Sequence, residues 1–446
     1  MDLKGKRVIL VGLGKSGVAA ARLCLAQGAT VIGTDRSPLA ALSEEARALP
    51  IERLAGGHAQ VDFAAAELIV VSPGVGALPE LERAERAGVE VIGELELACR
   101  FVTAPIVAVG GTNGKSTATT LVAALLTASG RRVFAGANLG IPAAEAASEA
   151  YDVVVWEVSS FQLERAATFR PRVSVLLNVT EDHLDRYPDF DAYARAKGNA
   201  FANQLPQDVA IVPAGDALCE AQARRGRGRV ITFGASGDYV LEDRVVVEAA
   251  GGARFSLAGG KLHGRHNQLN AAAAIAAARA LGVEVAAIEA GLAGFEPLPH
   301  RMALVAQRGG VRFYDDSKGT NVGASVTALD GLLEERGVLI AGGRDKHGSY
   351  APLVAALQRK GRAVVLIGEA ARRIADAIGS AVPVRFADSL EQAVAEAFRL
   401  ARPGDAVLLS PACSSFDMFD SYAHRGDCFA RAARALPESP AEESRA

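Results

Sequence analysis

The chain has 446 residues, half of them hydrophobic and 5% aromatic, with a formal net charge of −3. That length corresponds to roughly three domains of about 150 residues, and the near balance of charge argues against a nucleic-acid or other polyanionic partner. Apolar runs are broken by Gly, Pro or charge before a membrane-spanning length, and the first of them is too short for a signal peptide, so a cytoplasmic protein without membrane insertion is expected. The five cysteines, Cys24, Cys99, Cys219, Cys413 and Cys428, are scattered and lack zinc-like spacing, which reads as reduced thiols.

In chain order, "RVILVGLGKSGVAAARLCLAQGATVIGTD" reads as strand, Gly turn, helix and a second strand ending at Asp35. Shorter strands follow in "ELIVVSPG" and "VEVIGELEL". Gly12, Gly14 and Gly17 fit G-x-G-x-x-G, in which glycines let a phosphate approach the backbone at a helix N-terminus. A tight turn without ligand has the same signature. Asp35 suits a ribose or base of any nucleotide and Arg36 adds a cation, so a phosphorylated sugar nucleotide fits as well as NAD.

The Thr103–Pro105 junction precedes a fresh start at "IVAVGGTNGKSTATT". A P-loop has four residues between its first Gly and Gly-Lys-Ser/Thr; here Gly110 leaves three and Gly111 leaves two. The loop nevertheless follows a buried-strand pattern and opens a helix. Backbone N–H groups of Gly111 to Lys115 can form an anion nest, with Lys115 toward the β/γ-phosphates and Ser116 toward Mg²⁺. Binding of a nucleoside triphosphate is the expectation. "YDVVVWEVSS" then places Glu157 at the end of an apolar strand, and "VSVLLNV" leads into Thr180-Glu181-Asp182-His183. Strand ends on one side of an α/β sheet build its crevice, so Glu157 and His183 are expected at neighbouring positions of one metal site. The segment turns β-rich in "DYVLEDRVVVEAAGGARFSLAGG", and "FEPLPHR" reads as a linker.

In the last segment "GVLIAGG", "AVVLIGE" and "DAVLLSPACSS" are buried-strand candidates. Lys346 follows one of them in "GGRDKHGS", a loop suited to gripping a carboxylate; Ser415 follows another, and Tyr422 lies a short step beyond. Strands alternating with Ala-rich helical stretches predict an α/β protein of mostly parallel sheets. Its three domains are expected at 1–102, 103–298 and 299–446.

The motifs "GGTNGKST", "WEVSSFQLE", "LNVTEDHLDRYPD", "GRHNQLNAAAA", "LPHRMA" and "YDDSKGTN" together resemble the Mur ligase family of peptidoglycan synthesis. Within it, "GLGKSG", "SSFQLE", "AGGRDKHG" and "SPACSSFDMF" resemble the D-glutamate-adding member. The resemblance runs from the first strand to about Phe429. It implies an N-terminal Rossmann-like domain holding a UDP-sugar, a central P-loop ATPase-like domain, and a C-terminal Rossmann-like domain completing the ATP and glutamate sites. It also implies a monomeric, ATP- and Mg²⁺-dependent enzyme, with two ions, that adds D-glutamate to UDP-N-acetylmuramoyl-L-alanine through an acyl phosphate and a tetrahedral intermediate.

By that resemblance, the loop of Gly111, Thr112, Asn113, Gly114, Lys115, Ser116 and Thr117 contacts ATP, joined by Asn267, Asn270, Arg301 and Asp316. Gly14, Lys15, Ser16, Asp35, Arg36, Ser72 and Asn138 hold the UDP-sugar, and Thr320, Lys346, Ser415 and Tyr422 hold glutamate. Lys115, Glu157, His183 and Lys197 are catalytic, with Ser116, Glu157, His183 and a carbamoylated Lys197 around Mg²⁺. Composition alone would place Lys197, in "DFDAYARAKGNAF", on an exposed helix face. L-glutamate in place of D-glutamate is an alternative. So is a folylpolyglutamate-synthase-like ligase, although that chemistry does not need the first Gly-loop domain. An NAD-dependent oxidoreductase would leave the ATP loop, Glu157 and His183 without a role.

Overall fold

A computed structural model describes residues 1–183, 186–345 and 348–438. The chain falls into two compact units. One comprises Met1–Val179, His183–Ser256 and Ala271–Gly294; the other comprises Thr180–Asp182, Leu257–Asn270 and the chain from Phe295 on. The described residues build three sheets, two in the first unit and one in the second.

The N-terminal sheet has five parallel strands in the order Glu52–Ala55, Thr30–Asp35, Arg7–Val11, Leu68–Val71 and Glu90–Gly93. Its inner strands are continuous apolar runs because helices cover both faces. Strand order reverses beside Arg7–Val11, and the glycine turn 12–17 leaves that strand's carboxyl end, where such sheets open a binding crevice. Gly17 has a steric reason: a Cβ there would lie 1.9 Å from the Gly12 carbonyl oxygen. Only glycine lets the helix Lys15–Ala26 begin so close to the strand.

The central sheet has nine strands. In spatial order its parallel part runs Val133–Ala137, Val153–Glu157, Ile106–Gly110, Val173–Leu176, Val209–Pro213, Arg229–Gly234 and Tyr239–Glu242. Val245–Glu248 and Arg254–Ser256 extend it antiparallel, which is the expected β-rich part. Two expectations need adjusting. The strands leading to Glu157 and His183 are not neighbours, because the strand feeding the nucleotide loop lies between them. The second of these also stops at Leu176, so His183 stands on a loop beyond the sheet rather than at a strand end.

These two sheets share one hydrophobic core, which includes Val8, Leu10, Leu95 and Leu97 together with Ala108, Val154, Trp156 and Phe169. Two carboxylates on the short helix Glu94–Cys99 reinforce it. Glu96, fully buried, accepts from the backbone N–H groups of Thr168 and Phe169 at 3.0 Å, from the Thr168 hydroxyl, and from Arg100 Nε at 2.8 Å. Glu94 accepts from Ala144 N at 2.7 Å. Burial pushes the Glu94 carboxyl up to about 7, with the Ala144 and Ala143 N–H groups pulling the other way.

The second unit carries a six-stranded sheet in the order Ala303–Arg308, Val311–Asp315, Ala406–Leu409, Gly337–Gly342, Gly361–Ile367 and Val384–Phe386. Only the edge strand Ala303–Arg308 is antiparallel to its neighbour. Asn321 and Ser421 cap the helices Val322–Asp330 and Tyr422–Ala435, each accepting from the backbone N–H three residues on.

Candidate active site

At the end of Ile106–Gly110 the chain turns through Gly111 (φ +149°) and Gly114 (φ +84°) into the helix Lys115–Ala128. These left-handed angles are what a glycine-bearing loop must supply to bring successive N–H groups around one concavity. Lys115 Nζ donates to the Thr112 carbonyl at 2.8 Å, folding its ammonium over the loop. Asn178 fixes the loop from the neighbouring strand's end. Its Oδ1 accepts from the N–H groups of Thr112 (3.2 Å) and Asn113 (2.9 Å), while its Nδ2 donates to the Asn113 carbonyl at 3.0 Å.

Glu157 is 3% exposed, and neutral donors reach both its oxygens. Ser116 Oγ lies 2.5 Å from Oε2 and Asn138 Nδ2 lies 2.5 Å from Oε1. Asn138, expected on the UDP-sugar, is thereby set against Glu157. A buried carboxylate without a cation is costly, and the donors here, a carboxylate and a hydroxyl beside a phosphate-type loop, are the hard oxygens that suit Mg²⁺. Among the described residues no three His, Cys, Asp or Glu side chains cluster as a metal cage.

Lys197 is buried, against the reading from composition, at 3% exposure. It lies on the helix Phe190–Ala202, capped by Asp189, which accepts from Ala192 N at 2.6 Å. Its Nζ donates to the Gly111 carbonyl at 2.8 Å and sits 4.5 Å from the Tyr193 ring centre. Tyr193 OH is 3.1 Å from Thr112 Oγ1, so one helix face meets the nucleotide loop twice. His183, exposed and at φ +55°, has its ring 4.8 Å from that of Phe161 and 6.2 Å from that of Tyr193.

At the N-terminal glycine turn, Asp35 accepts from Leu13 N and Ser37 N, both at 2.8 Å, and Ser72 Oγ donates to the Gly12 carbonyl at 2.8 Å. Burial opposes ionisation of Asp35, but these N–H groups outweigh it and hold the carboxyl below its ordinary value. Both side chains therefore shape the turn. Gly14, Lys15 and Arg36 are exposed around it, with Ser16 half-buried.

In the second unit Asn267 and Asn270 are buried and joined at 3.2 Å, with Asn267 Nδ2 donating to the His263 carbonyl at 2.8 Å. Burial raises the Asp316 carboxyl to about 7, opposed by the Ser410 hydroxyl at 2.7 Å and the charge of Arg301. Thr320 follows Lys318, whose Nζ lies 3.8 Å from the centre of the Tyr422 ring. Ser415 is buried in the loop after Ala406–Leu409. Lys346 lies outside the described residues. Arg425 is fully buried and reaches three carbonyls: Ser317 at 2.9 Å, and Cys413 and Ser414 at 3.4 Å. Burial lowers its guanidinium to about 10.

Three family models match the chain in succession: the Mur ligase MurD-like N-terminal domain over residues 6–93, the Mur ligase middle domain over 109–278, and the Mur ligase glutamate ligase domain over 300–413. The chain belongs to the Mur ligase family. It is 46% identical to the UDP-N-acetylmuramoylalanine–D-glutamate ligase of Desulfosudis oleivorans, over 98% of each chain. It is 47% identical to the ligase of the same name from Anaeromyxobacter dehalogenans, over 97% of this chain and 98% of the relative. The solved UDP-N-acetylmuramate–alanine ligase of Thermotoga maritima covers 96% of this chain and 99% of its own, at 21% identity and a TM-score of 0.59, a likeness of fold.

Several residues that organise this Mur ligase escaped the sequence reading. Asn178 was signalled by an amide closing the apolar run "VSVLLN", and Tyr193 by its spacing of four from Lys197, which stacks both on one helix face. Lys318 lies within "YDDSKGTN", where a lysine in a polar loop reads as solvated. Arg425 carried no signal, because nothing local distinguishes a buried arginine in "YAHRGDCFA" from a solvated one.

Proposed function

We propose that the chain is an ATP-dependent ligase joining D-glutamate to UDP-N-acetylmuramoyl-L-alanine, with release of ADP and phosphate. Near-full-length similarity to ligases of that name supports the substrate pair. The observation that carries the chemistry is the short glycine loop abutting a buried carboxylate, Ser116 on Glu157.

A carboxylate does not condense with an amine, because its leaving group would be oxide. Attack of the muramyl peptide's carboxylate oxygen on the γ-phosphorus breaks the bond to ADP and gives an acyl phosphate. The amine nitrogen of glutamate then attacks the acyl carbon, the tetrahedral adduct expels phosphate, and the amine proton is lost as the amide forms. Such transfers depend on positioning and on neutralising spread negative charge. Lys115 and the N–H groups of Gly111 to Lys115 serve that end, with Thr117 at the helix start; the family resemblance adds Asn267, Asn270, Arg301 and Asp316 as contacts of ATP. Magnesium, as two ions held through Ser116, Glu157, His183 and Lys197, would screen the phosphate oxygens.

Lys197 serves as a carbamate. Its neutral amine adds to CO₂ and loses a proton, exchanging a buried cation for an anion beside the loop. Gly14, Lys15, Ser16, Asp35, Arg36, Ser72 and Asn138 hold the UDP-sugar. Thr320, Lys346, Ser415 and Tyr422 hold glutamate, whose two carboxylates need a cation and several donors. The test is ADP release with UDP-N-acetylmuramoyl-L-alanine and each glutamate enantiomer. Turnover requiring both the nucleotide sugar and D-glutamate is expected. Turnover with L-glutamate alone would replace the amino acid, and glutamate-independent ADP release would end the ligase reading.

A further inference from the structure

His183 stands in a loop beyond the sheet, exposed, at a left-handed backbone angle of φ +55° that a residue with a Cβ rarely adopts. Such a conformation persists only where its surroundings over-determine it. One such restraint comes from Glu164, which closes the "SSFQLE" stretch immediately after the helix Ser160–Leu163. Its carboxylate accepts from Arg186 Nε at 3.1 Å and from Arg186 Nη2 at 2.6 Å, a bidentate pair, and from the Tyr187 hydroxyl at 2.5 Å. Arg186 and Tyr187 in turn each donate a backbone N–H to the His183 carbonyl, at 3.0 and 3.2 Å. One carboxylate thus holds the two residues that close the turn on His183.

The rings complete the clamp. The Arg186 guanidinium lies 4.1 Å from the centre of Phe161, Phe161 lies 4.8 Å from the His183 ring, and Tyr187 lies 5.4 Å from Tyr193, the residue that touches the nucleotide loop. The imidazole is bracketed by Phe161 on one element and Tyr193 on another, and Glu164 follows Phe161 by three residues. A partly exposed ion pair contributes little stability. Three acceptor contacts at one carboxylate, two of them planar and bidentate, specify geometry instead.

We propose that Glu164 is a positioning residue that aims the His183 imidazole, through Arg186, Tyr187 and Phe161; this rests on the reading of His183 as a metal ligand. Residues that orient a ligand typically change metal affinity or activity 10- to 100-fold when removed. The test pairs a Mg²⁺ titration of ADP release with Mn²⁺ binding measured by electron paramagnetic resonance in the absence of turnover, the two expected to shift together, on the full chain carrying Glu164→Ala, Glu164→Gln, His183→Ala or Glu164→Ala with His183→Ala. Glu164→Ala is expected to raise the Mg²⁺ needed for half-maximal rate about tenfold or more, with the KM for D-glutamate unchanged. Glu164→Gln, which keeps the shape and one acceptor oxygen, should fall between it and the parent, and it serves if the alanine variant fails to fold. The double variant should match His183→Ala alone. A shifted His183→Ala beside Glu164 variants with the parent's Mg²⁺ requirement would overturn the positioning role by itself. Additive effects in the double variant would overturn it too. An unshifted His183→Ala would bring down the metal reading and the proposal with it.

Discussion

Two glycines of the N-terminal turn, three residues apart, should respond to the same substitution in opposite ways. A Cβ on Gly17 would sit 1.9 Å from the Gly12 carbonyl oxygen, 2.9 Å from its carbon and 3.1 Å from Ser72 Oγ. Ordinary contact lies near 3.5 Å, so the helix Lys15–Ala26 must retreat by roughly 1.5 Å from the strand it follows. Overpacking of this kind costs about 1–3 kcal/mol, and backbone atoms on the other side place Gly17→Ala at the upper end. For a unit of this size that lowers the melting temperature by roughly 6–12 °C. A Cβ on Gly14 meets nothing within 4 Å, and its φ of −72° suits any residue. Gly14→Ala should therefore melt with the parent. If the turn holds the nucleotide sugar's phosphates, however, the methyl occupies the space they approach through. The half-saturating concentration of UDP-N-acetylmuramoyl-L-alanine should rise about tenfold, or 1.4 kcal/mol, with that for ATP unchanged. Thermal melts and ADP-release kinetics on both variants decide the matter. Gly17→Ala melting within about 2 °C of the parent would refute the packing argument. Gly14→Ala with an unchanged requirement for the nucleotide sugar would refute the site.

Lys115→Ala should abolish most turnover while leaving the melt unchanged, since it removes the loop's cation; near-parental ADP release would exclude the loop from catalysis. Lys197 should carry an added CO₂ by intact-protein mass measured without acid, and acetate should restore part of the activity lost in Lys197→Ala by filling the anion's position; an unmodified, dispensable lysine would end that reading. Glu94 has a folded-state value of about 7 against an ordinary 4.5. The folded chain thus keeps a proton that the unfolded chain loses in between, and stability should fall as pH rises from 4.5 to 7, by about 3 kcal/mol at most. Glu94→Gln keeps an acceptor for Ala144 N without ionising, so melts at pH 5 and pH 8 should differ less than in the parent; an equal difference would remove Glu94 as the source.

The sequence displays its α/β architecture because buried parallel strands are uninterrupted apolar runs, as in Ile106–Gly110 and Val153–Glu157. The loop itself was legible for the same local reason: Gly111, Lys115 and Ser116 lie within six residues of chain between one strand and one helix. Sheet order was not, and placing Glu157 beside the strand before His183 failed because register and neighbours depend on packing far along the chain. Burial of Lys197 was likewise hidden. Its helix has small residues on the inward face, Ala196, Gly198 and Ala200, which carry no strong periodic signal, so the inward side cannot be told from the outward one. Asn178 and Arg425 act mainly on backbone groups, and such partners leave no trace in composition.

Glu96 and the core around it have a bearing on inheritance. A recombination point near residue 102 separates the helix Glu94–Cys99 from the Thr168–Phe169 segment it grips and splits the shared core. A chimera made there would pair one parent's buried carboxylate with the other's differently shaped cradle, and each misfit would act on the stability of both sheets together. The N-terminal and central modules of this chain are therefore expected to travel between relatives as a single block.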